Sequence, residues 1–384
     1  MHLLNLYKHL IIAKTKLRLK LNLLVKKGGK FAFADYDIVH FITGDKFTAG
    51  YILFMQSYFC DKRHLFVTTP SMHADNYKNM RDTILCSSFA LALVRKDILR
   101  VCNRAESVIW SGMFDKVAIL LAPNSLINKS YFQFWGGDFY CYRKKSSSMT
   151  EKCLHKSFLE KSEIARGLIF LIYGEEYVFK KICRVQNKRC FVAPMPAKPQ
   201  KLLEIKDKIK HIKKYRITIG NSSTVENNHL EVFSKMKHIN FDDVEIFCPL
   251  SYGDMAYKEK VKEFAKEIFG ATFHSLEQFM GFDDYIQYLA DCDVGVFNNN
   301  RQQAMGNINY LLMLGKKVYI NKETSMWQHY KKIGCTMFDI NKLSEQNKEE
   351  ILYIPKEMAI RNRDAILAYI SDKNAVEQWR CIYE

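Results

Sequence analysis

Lysines interrupt the leucine-rich N-terminal segment of this 384-residue chain well before the ~20 consecutive apolar residues that a membrane-crossing helix needs. No small-residue cleavage site follows, so the segment does not read as a signal peptide either. Glycine and proline are scarce, at 17 and 7 residues, which excludes fibrous and disordered classes. Internal repeats and low-complexity tracts are lacking. The eleven cysteines are odd in number and form no CxxC pair, so neither a zinc ribbon nor a disulfide framework is expected. Thiols scattered through apolar segments read as small core residues of a reducing compartment, the cytosol. No helix-turn-helix, zinc-finger or RNA-recognition signature appears, and no nucleic-acid partner is expected despite a net charge of +17. One further absence is local: residues 1–30 contain no Asp or Glu.

Those thirty residues hold Lys8, Lys14, Lys16, Arg18, Lys20, Lys26, Lys27 and Lys30, nearly half of the net positive charge. Leu3, Leu6, Tyr7, Leu10, Leu17, Leu21 and Leu24 recur among them at three-, four- and seven-residue steps. The spacing predicts a helix with an apolar stripe beside a basic face, suited to lying on an anionic membrane surface. The alternative is a basic helix packed on the first domain.

The remaining length suits two domains, and 48% hydrophobic residues supply a core for each. From residue 36, β-rich runs alternate with helical ones: YDIVHFIT, an amphipathic run from Tyr51 to Tyr58, HLFVTT, DILRV, SVIW, KVAILLA, YFQFWGG, GLIFLIYG and CFVAPMPAKPQ. Such alternation predicts a parallel sheet with crossover helices. Pro194, Pro196 and Pro199 then cluster ahead of a basic stretch and mark a linker. The rhythm restarts at YRITIGNSS and runs through VEIFCPLSYG, ATFHSL, DVGVFNNN and KKVYIN. The expected fold is α/β, with two Rossmann-like doubly wound domains at 31–197 and 198–354 facing a cleft. The basic segment 1–30 precedes them, and a helical tail at 355–384 packs back on the first.

In such sheets ligands bind beyond the carboxyl ends of the strands. Gly220, Asn221, Ser222 and Ser223 lie between a strand and a helix, where free N–H groups suit a diphosphate. Ser223 and Glu226 also have the spacing of a capping box, which needs no ligand. Asn298–Asn307 repeats the situation: Arg301, Gln302, Gln303 and Asn307 offer donors ahead of INYLLMLG, and Gly306 allows close backbone approach. In the first domain Trp135, Gly136, Gly137 and Asp138 could form a sugar-stacking turn with a carboxylate, or simply a structural turn around a buried Trp. Asp45 and Lys46 follow the first strand and could meet an acceptor or its phosphates. Asp35 with Asp37, and Asp291 with Asp293, have the spacing of metal-holding pairs but precede or begin strands, and read as solvated ends. No metal site and no cofactor are expected.

In order, ITGDKF, FWGGDFY, IGNSSTVENNH, CPLSYG, FNNNRQQAMGNI, LGKKVYIN and MWQHY resemble the TDP-N-acetylfucosamine:lipid II N-acetylfucosaminyltransferase family, from about residue 36 to 340. The resemblance implies a metal-independent glycosyltransferase of the B-type fold, peripheral on the cytoplasmic face of a bacterial inner membrane, in surface-polysaccharide assembly such as that of enterobacterial common antigen. It implies a nucleoside-diphosphate amino-deoxysugar donor, TDP-linked in the family, and a lipid-diphosphate saccharide acceptor. Gly44 departs from the family's pattern, which often carries an acid before Asp-Lys-Phe. On this reading Gly220–Ser223, Ser251, Tyr252, Arg301, Gln302, Gln303, Gly306 and Asn307 hold the donor. Lys46, Trp135, Gly136 and Gly137 meet the acceptor, and Asp138 or Asp45 activates its hydroxyl. The competing enzyme class is a sugar-nucleotide 2-epimerase with the same architecture.

Overall fold

The computed structural model describes residues 2–25, 35–143, 148–186, 188–194 and 214–384, with side chains of the first helix described over 7–20. The linker read at 194–199 and the lysines at 26, 27 and 30 fall outside this set except for Pro194. The chain divides into two compact units: Met1–Leu171 with Glu175–Pro196 and Ala375–Glu384, and Ile172–Gly174 with Ala197–Asn374. The tail expected at 355–384 is therefore divided, its helix Lys356–Tyr369 staying with the second unit and most of the helix Asp372–Tyr383 joining the first.

Unit 1 is a seven-stranded parallel sheet in the order β3-β2-β1-β4-β5-β6-β7. Its strands are β1 Ile38–Ile42, β2 His64–Thr68, β3 Thr83–Leu85, β4 Ser107–Ser111, β5 Ser130–Phe134, β6 Gly167–Phe170 and β7 Cys190–Val192. Every residue of β1, β2, β4, β5 and β6 is buried, the mark of strands covered by helices on both faces. The helices are α1 His2–Val25, α2 Thr48–Tyr58, α3 Phe89–Ala92, α4 Lys96–Arg104, α5 Lys116–Leu121, α6 Asn124–Ile127, α7 Gly137–Tyr140, α8 Met149–Ile164 and α9 Glu175–Cys183. Two runs read as strands are helices: DILRV lies within α4, and KVAILLA forms α5 up to Leu121. Asp115 explains the second, because its side chain accepts from the backbone N–H of Ala118 and starts a helix on a run that is apolar after Lys116. One core face of the sheet gathers Phe41, Trp110, Phe134 and Phe170; the other is closed by Trp379 and Ile382 of the C-terminal helix over Tyr51, Phe66 and Tyr131.

Unit 2 is a six-stranded parallel sheet in the order β10-β9-β8-β11-β12-β13. Its strands are β8 Tyr215–Ile219, β9 Val244–Pro249, β10 Phe273–Leu276, β11 Val294–Phe297, β12 Lys317–Ile320 and β13 Phe338–Asp339. The strand order reverses between β1 and β4 in unit 1 and between β8 and β11 in unit 2, so each sheet has one switch point where two successive loops part and leave a crevice.

Candidate active site

At the unit 2 switch point, β8 runs into Gly220 and β11 into Asn298, and the two loops singled out in the sequence, 220–228 and 298–304, meet there. Gly220 has φ +70, and a Cβ at that position would stand 2.3 Å from His229 Nε2, so the turn accepts only glycine. Asn227, which sequence reasoning passed over, ties the two loops together. Its Oδ1 accepts from the backbone N–H of Asn221 at 3.1 Å and from Asn299 Nδ2 at 3.1 Å. Its Nδ2 donates to Thr224 Oγ1 at 2.8 Å and Ser222 Oγ at 3.1 Å, and Gln303 Nε2 joins Thr224 Oγ1 at 3.0 Å. Asn228, in the left-handed region at φ 49, donates from Nδ2 to the carbonyl of Asn298 at 2.8 Å. The signal in the sequence was the Asn-Asn pair just before the helical run, since Asn is the side-chain-bearing residue that best tolerates this backbone.

The capping box expected of Ser223 and Glu226 does not form. A short 3-10 turn at Val225–Asn227 intervenes, and the helix begins only at His229. Ser223 instead donates from Oγ to the carbonyl of Tyr252 at 2.9 Å, while its backbone N–H reaches the same oxygen at 2.8 Å. This brings Ser251 and the exposed Tyr252, from the loop after β9, beside the β8 loop, where Tyr252 OH also accepts from Asn221 Nδ2 at 2.9 Å. His229 lies beneath Gly220, and burial pushes its imidazole down to about 3. It is a neutral, packed side chain at physiological pH.

The second loop ends at Ala304, a non-glycine residue with φ 58, and the helix Met305–Met313 that follows has no side-chain cap. Elsewhere Asp115, Ser148 and Asp254 cap their helices. Gly306 is exposed in the first turn, with open space where a Cβ would be. Arg301 is half-buried, and its guanidinium holds the carbonyl of Gln302 at 3.1 Å. Asn307 donates to Tyr285 OH at 2.7 Å. Uncapped N–H groups, a left-handed entry residue and a guanidinium are together chemically suited to an anion. The buried amide oxygens of Asn221, Asn299, Gln302 and Gln303 have no partner among the described residues.

At the unit 1 switch point, Thr43 joins the loops after β1 and β4: its N–H meets the carbonyl of Ser111 at 3.0 Å and its Oγ1 donates to that of Gly112 at 3.1 Å. Gly44 packs so closely that a Cβ would lie 1.9 Å from the Thr69 carbonyl, so no acid fits at that position in this chain. Asp45 is half-buried, with its N–H bonded to Thr48 Oγ1 at 2.8 Å and its carboxylate accepting from the Lys46 N–H. Lys46 is exposed. Trp135 is half-buried; its Nε1 donates to Ser111 Oγ at 3.0 Å, and its ring meets the exposed Phe114 edge-on with centroids 6.2 Å apart. Gly136 has φ 97, a conformation open to glycine, and Gly137 begins α7.

Asp138, expected to face a sugar, is buried. Its Oδ2 accepts from the backbone N–H of Met113 at 3.0 Å and of Trp135 at 3.0 Å. Burial pushes its carboxyl up to about 6 against the opposing pull of those bonds. Its geometry binds the β4 and β5 loops together and leaves no face for an acceptor.

The acidic pairs are likewise occupied. Asp37 accepts from the Arg63 N–H and Asp35 pairs with Arg104, while Asp291 and Asp293 both engage Arg216. Among the described residues no group of three His, Cys, Asp or Glu stands close enough to hold a metal ion.

The architecture is shared with solved glycosyltransferases. The Anabaena HepE protein in complex with UDP and glucose matches with a TM-score of 0.62 at 9% identity, over 91% of this chain and 99% of that one. A glycosyltransferase from Rickettsia africae matches at 0.58 and 11%, over 91% and 98%. WaaG, a glycosyltransferase of lipopolysaccharide biosynthesis, matches at 0.57 and 10%, over 90% and 98%. Identities this low show the fold, the two-domain B-type glycosyltransferase fold. Residues 52–383, a span that contains all but the first of the ordered motifs above, match the family described as 4-alpha-L-fucosyltransferase glycosyl transferase group 56, and the protein is a glycosyltransferase belonging to that family.

Proposed function

We propose that the protein transfers an amino-deoxysugar of the N-acetylfucosamine type from a nucleoside diphosphate, TDP on the family resemblance, to a lipid-diphosphate-linked saccharide in bacterial surface-polysaccharide synthesis. Unit 2 is the donor-binding domain and unit 1 the acceptor-binding domain. The observation that carries the reading is the meeting of loops 220–228 and 298–304 at the β8/β11 switch point, ahead of an uncapped helix. There the backbone N–H groups around Gly306 and the Arg301 guanidinium take the diphosphate, and as the glycosidic bond breaks they stabilise the charge that develops on the leaving group. Asn221, Ser222, Ser223, Gln302, Gln303 and Asn307 line that site, with Ser251 and Tyr252 at its edge. In unit 1 the half-buried Asp45 is the carboxylate offered to the acceptor hydroxyl, Lys46 meets its phosphates, and Trp135 with Gly136 and Gly137 shapes the wall. Asp138 is a positioning residue behind that wall. The family resemblance supports work at the cytoplasmic face of the inner membrane, on an anionic surface. Among the described residues no helix is long and apolar enough to cross a membrane.

The test is thermal stabilisation by TDP, TDP-glucose, UDP, UDP-glucose and UDP-N-acetylglucosamine. A ligand at 100 times its Kd adds about 2.7 kcal/mol of stability. A nucleoside diphosphate should raise the melting temperature, and Arg301→Ala should abolish that shift without lowering the melting temperature of the free protein. Absence of any shift across the panel sinks the donor assignment. Turnover of a nucleotide sugar with no acceptor present would instead support the 2-epimerase reading.

A further inference from the structure

Helix α1 lies wholly outside the residues matched to the family, and it faces two ways. Inward, Ile12 and Leu19 pack against the unit 1 core, Lys8 Nζ pairs with Glu160 Oε2 of α8 at 2.5 Å, and Tyr7 OH meets Thr150 Oγ1 at 3.3 Å. The helix rests on both α8 and α5. Outward, Leu10 and Leu17 are 61% and 63% exposed and stand seven residues apart, two turns along one face. Lys14, Lys16, Arg18 and Lys20 are exposed around them, and among the described residues no acid pairs with any of the four.

A single exposed leucine is ordinary on a soluble protein. Two leucines on one helical face, ringed by four unneutralised cations on a helix already secured along its opposite side, match an interfacial helix that sets its apolar residues at the headgroup boundary. A nucleic acid would satisfy the cations and leave the leucines in water. The surface therefore fits an anionic bilayer. Its location within unit 1 carries the second half of the inference. Helix α5, which α1 touches, is six residues long, about 9 Å at the helical rise. Its N-terminus emerges from the β4 loop of the unit 1 switch point, where Phe114 is 50% exposed beside Trp135.

We propose that the outward face of α1 seats unit 1 on an anionic lipid surface and, acting as a fixed part of the unit through its inward face, holds the switch-point crevice at headgroup depth, where a lipid-diphosphate acceptor presents its sugar. The second clause rests on the acceptor assignment made above; the first stands without it. Seating then governs access to membrane-embedded acceptors and leaves the chemistry untouched.

The full-length protein is floated with phosphatidylcholine vesicles, with and without phosphatidylglycerol. Binding is expected only with the anionic lipid. K14E/K16E/R18E/K20E should weaken it on the order of a hundredfold, and L10E/L17E at least about tenfold. Both variants should keep the wild-type melting temperature and the same stabilisation by nucleoside diphosphates. L10E/L17E should lose transfer to acceptor embedded in vesicles yet retain transfer to a water-soluble, short-chain analogue of a lipid-diphosphate saccharide. Equal binding to neutral vesicles, wild-type binding by either variant, or loss of transfer to both acceptors overturns the proposal. So does duplex DNA binding that exceeds vesicle binding and ignores L10E/L17E. If the wild-type protein binds anionic vesicles but neither nucleotides nor acceptors, the donor and acceptor assignments fail and the membrane seat remains.

Discussion

Asp138 keeps a carboxylate where solvent does not reach it, and the backbone N–H groups of Met113 and Trp135 are what make that tolerable. Its pKa, pushed up by burial to about 6 from 3.8, sets the sign of its contribution to stability. The folded state takes up this proton before the unfolded chain does, so the contribution falls as pH rises from 3.8 through about 6 and is level above. Asp138→Asn keeps an oxygen for the two N–H donors and removes the titration. It should retain transfer within about tenfold and show a flatter dependence of stability on pH in that window. Asp138→Leu strands both donors in the interior and should cost about 2–4 kcal/mol in urea unfolding. If Asp138→Asn folded normally, bound nucleotide as before and lost transfer by about a thousandfold, the acid would be a base after all. The sequence placed this residue at the right turn and misjudged its direction, because an Asp after two glycines reads alike whether it faces a ligand or its own loop. Asn227 escaped notice for a related reason: the Asn-Asn pair marks a turn, but the bond that makes Asn227 a tie between two loops is to Asn299, 72 residues away.

Elements were legible where they were long and periodic, and least legible where an apolar run was short. The strand β11 and the helix Met305–Met313 stand where the alternation put them, whereas KVAILLA became α5 because a single Asp side chain caps it, which apolar periodicity does not register. Helix α2 shows a further consequence of packing. His64 Nε2 faces the carbonyl of Phe59 at 2.9 Å, which fixes its proton there; His64 Nδ1 then accepts from His40 Nε2 at 2.9 Å, and His40 Nδ1 accepts from Tyr51 OH at 2.9 Å. Every member of the chain is satisfied only while both rings are neutral. Desolvation holds His40 well below 6.5, with His64 adding to it, and desolvation lowers His64 despite the carboxylates of Asp61, Asp37 and Asp82. With folded pKa values below the unfolded one, the unfolded chain binds the extra protons, and stability falls as pH drops below 6.5. The C-terminal helix covers this chain, with Tyr383 6.4 Å from the His64 ring and Trp379 5.6 Å from Tyr51. Its amide hydrogens should therefore lose exchange protection between pH 6.5 and 5, and His40→Phe should blunt that loss. Protection unchanged down to pH 5 would refute the coupling.

The chain begins and ends in the same unit. Unit 1 takes its first strand from the N-terminal half and its covering helix from Ala375–Glu384, so unit 2 is in effect an insertion between the parts of unit 1. Alternating strands and helices announced two doubly wound sheets, and the switch points followed from their order. What no local pattern announced was the division of the tail, because neither helix carries a local mark of the sheet it will cover and only packing decides which each joins. That division has a thermodynamic consequence. Trp379 is fully buried against Tyr51, and Ile382 lies in the same cluster. Ending the chain at Asn374 removes both and opens an apolar face over the sheet. Loss of one buried Trp costs about 3–5 kcal/mol, a large share of the 5–15 kcal/mol that keeps a domain folded. Calorimetry of the truncated protein should show the unit 1 transition lowered or lost. The transition of unit 2 should persist, and nucleoside diphosphate should raise it by the same amount as in the full chain. Equal loss in both transitions would mean that the two units melt as one and that the C-terminal helix stabilises the whole molecule rather than the sheet it covers.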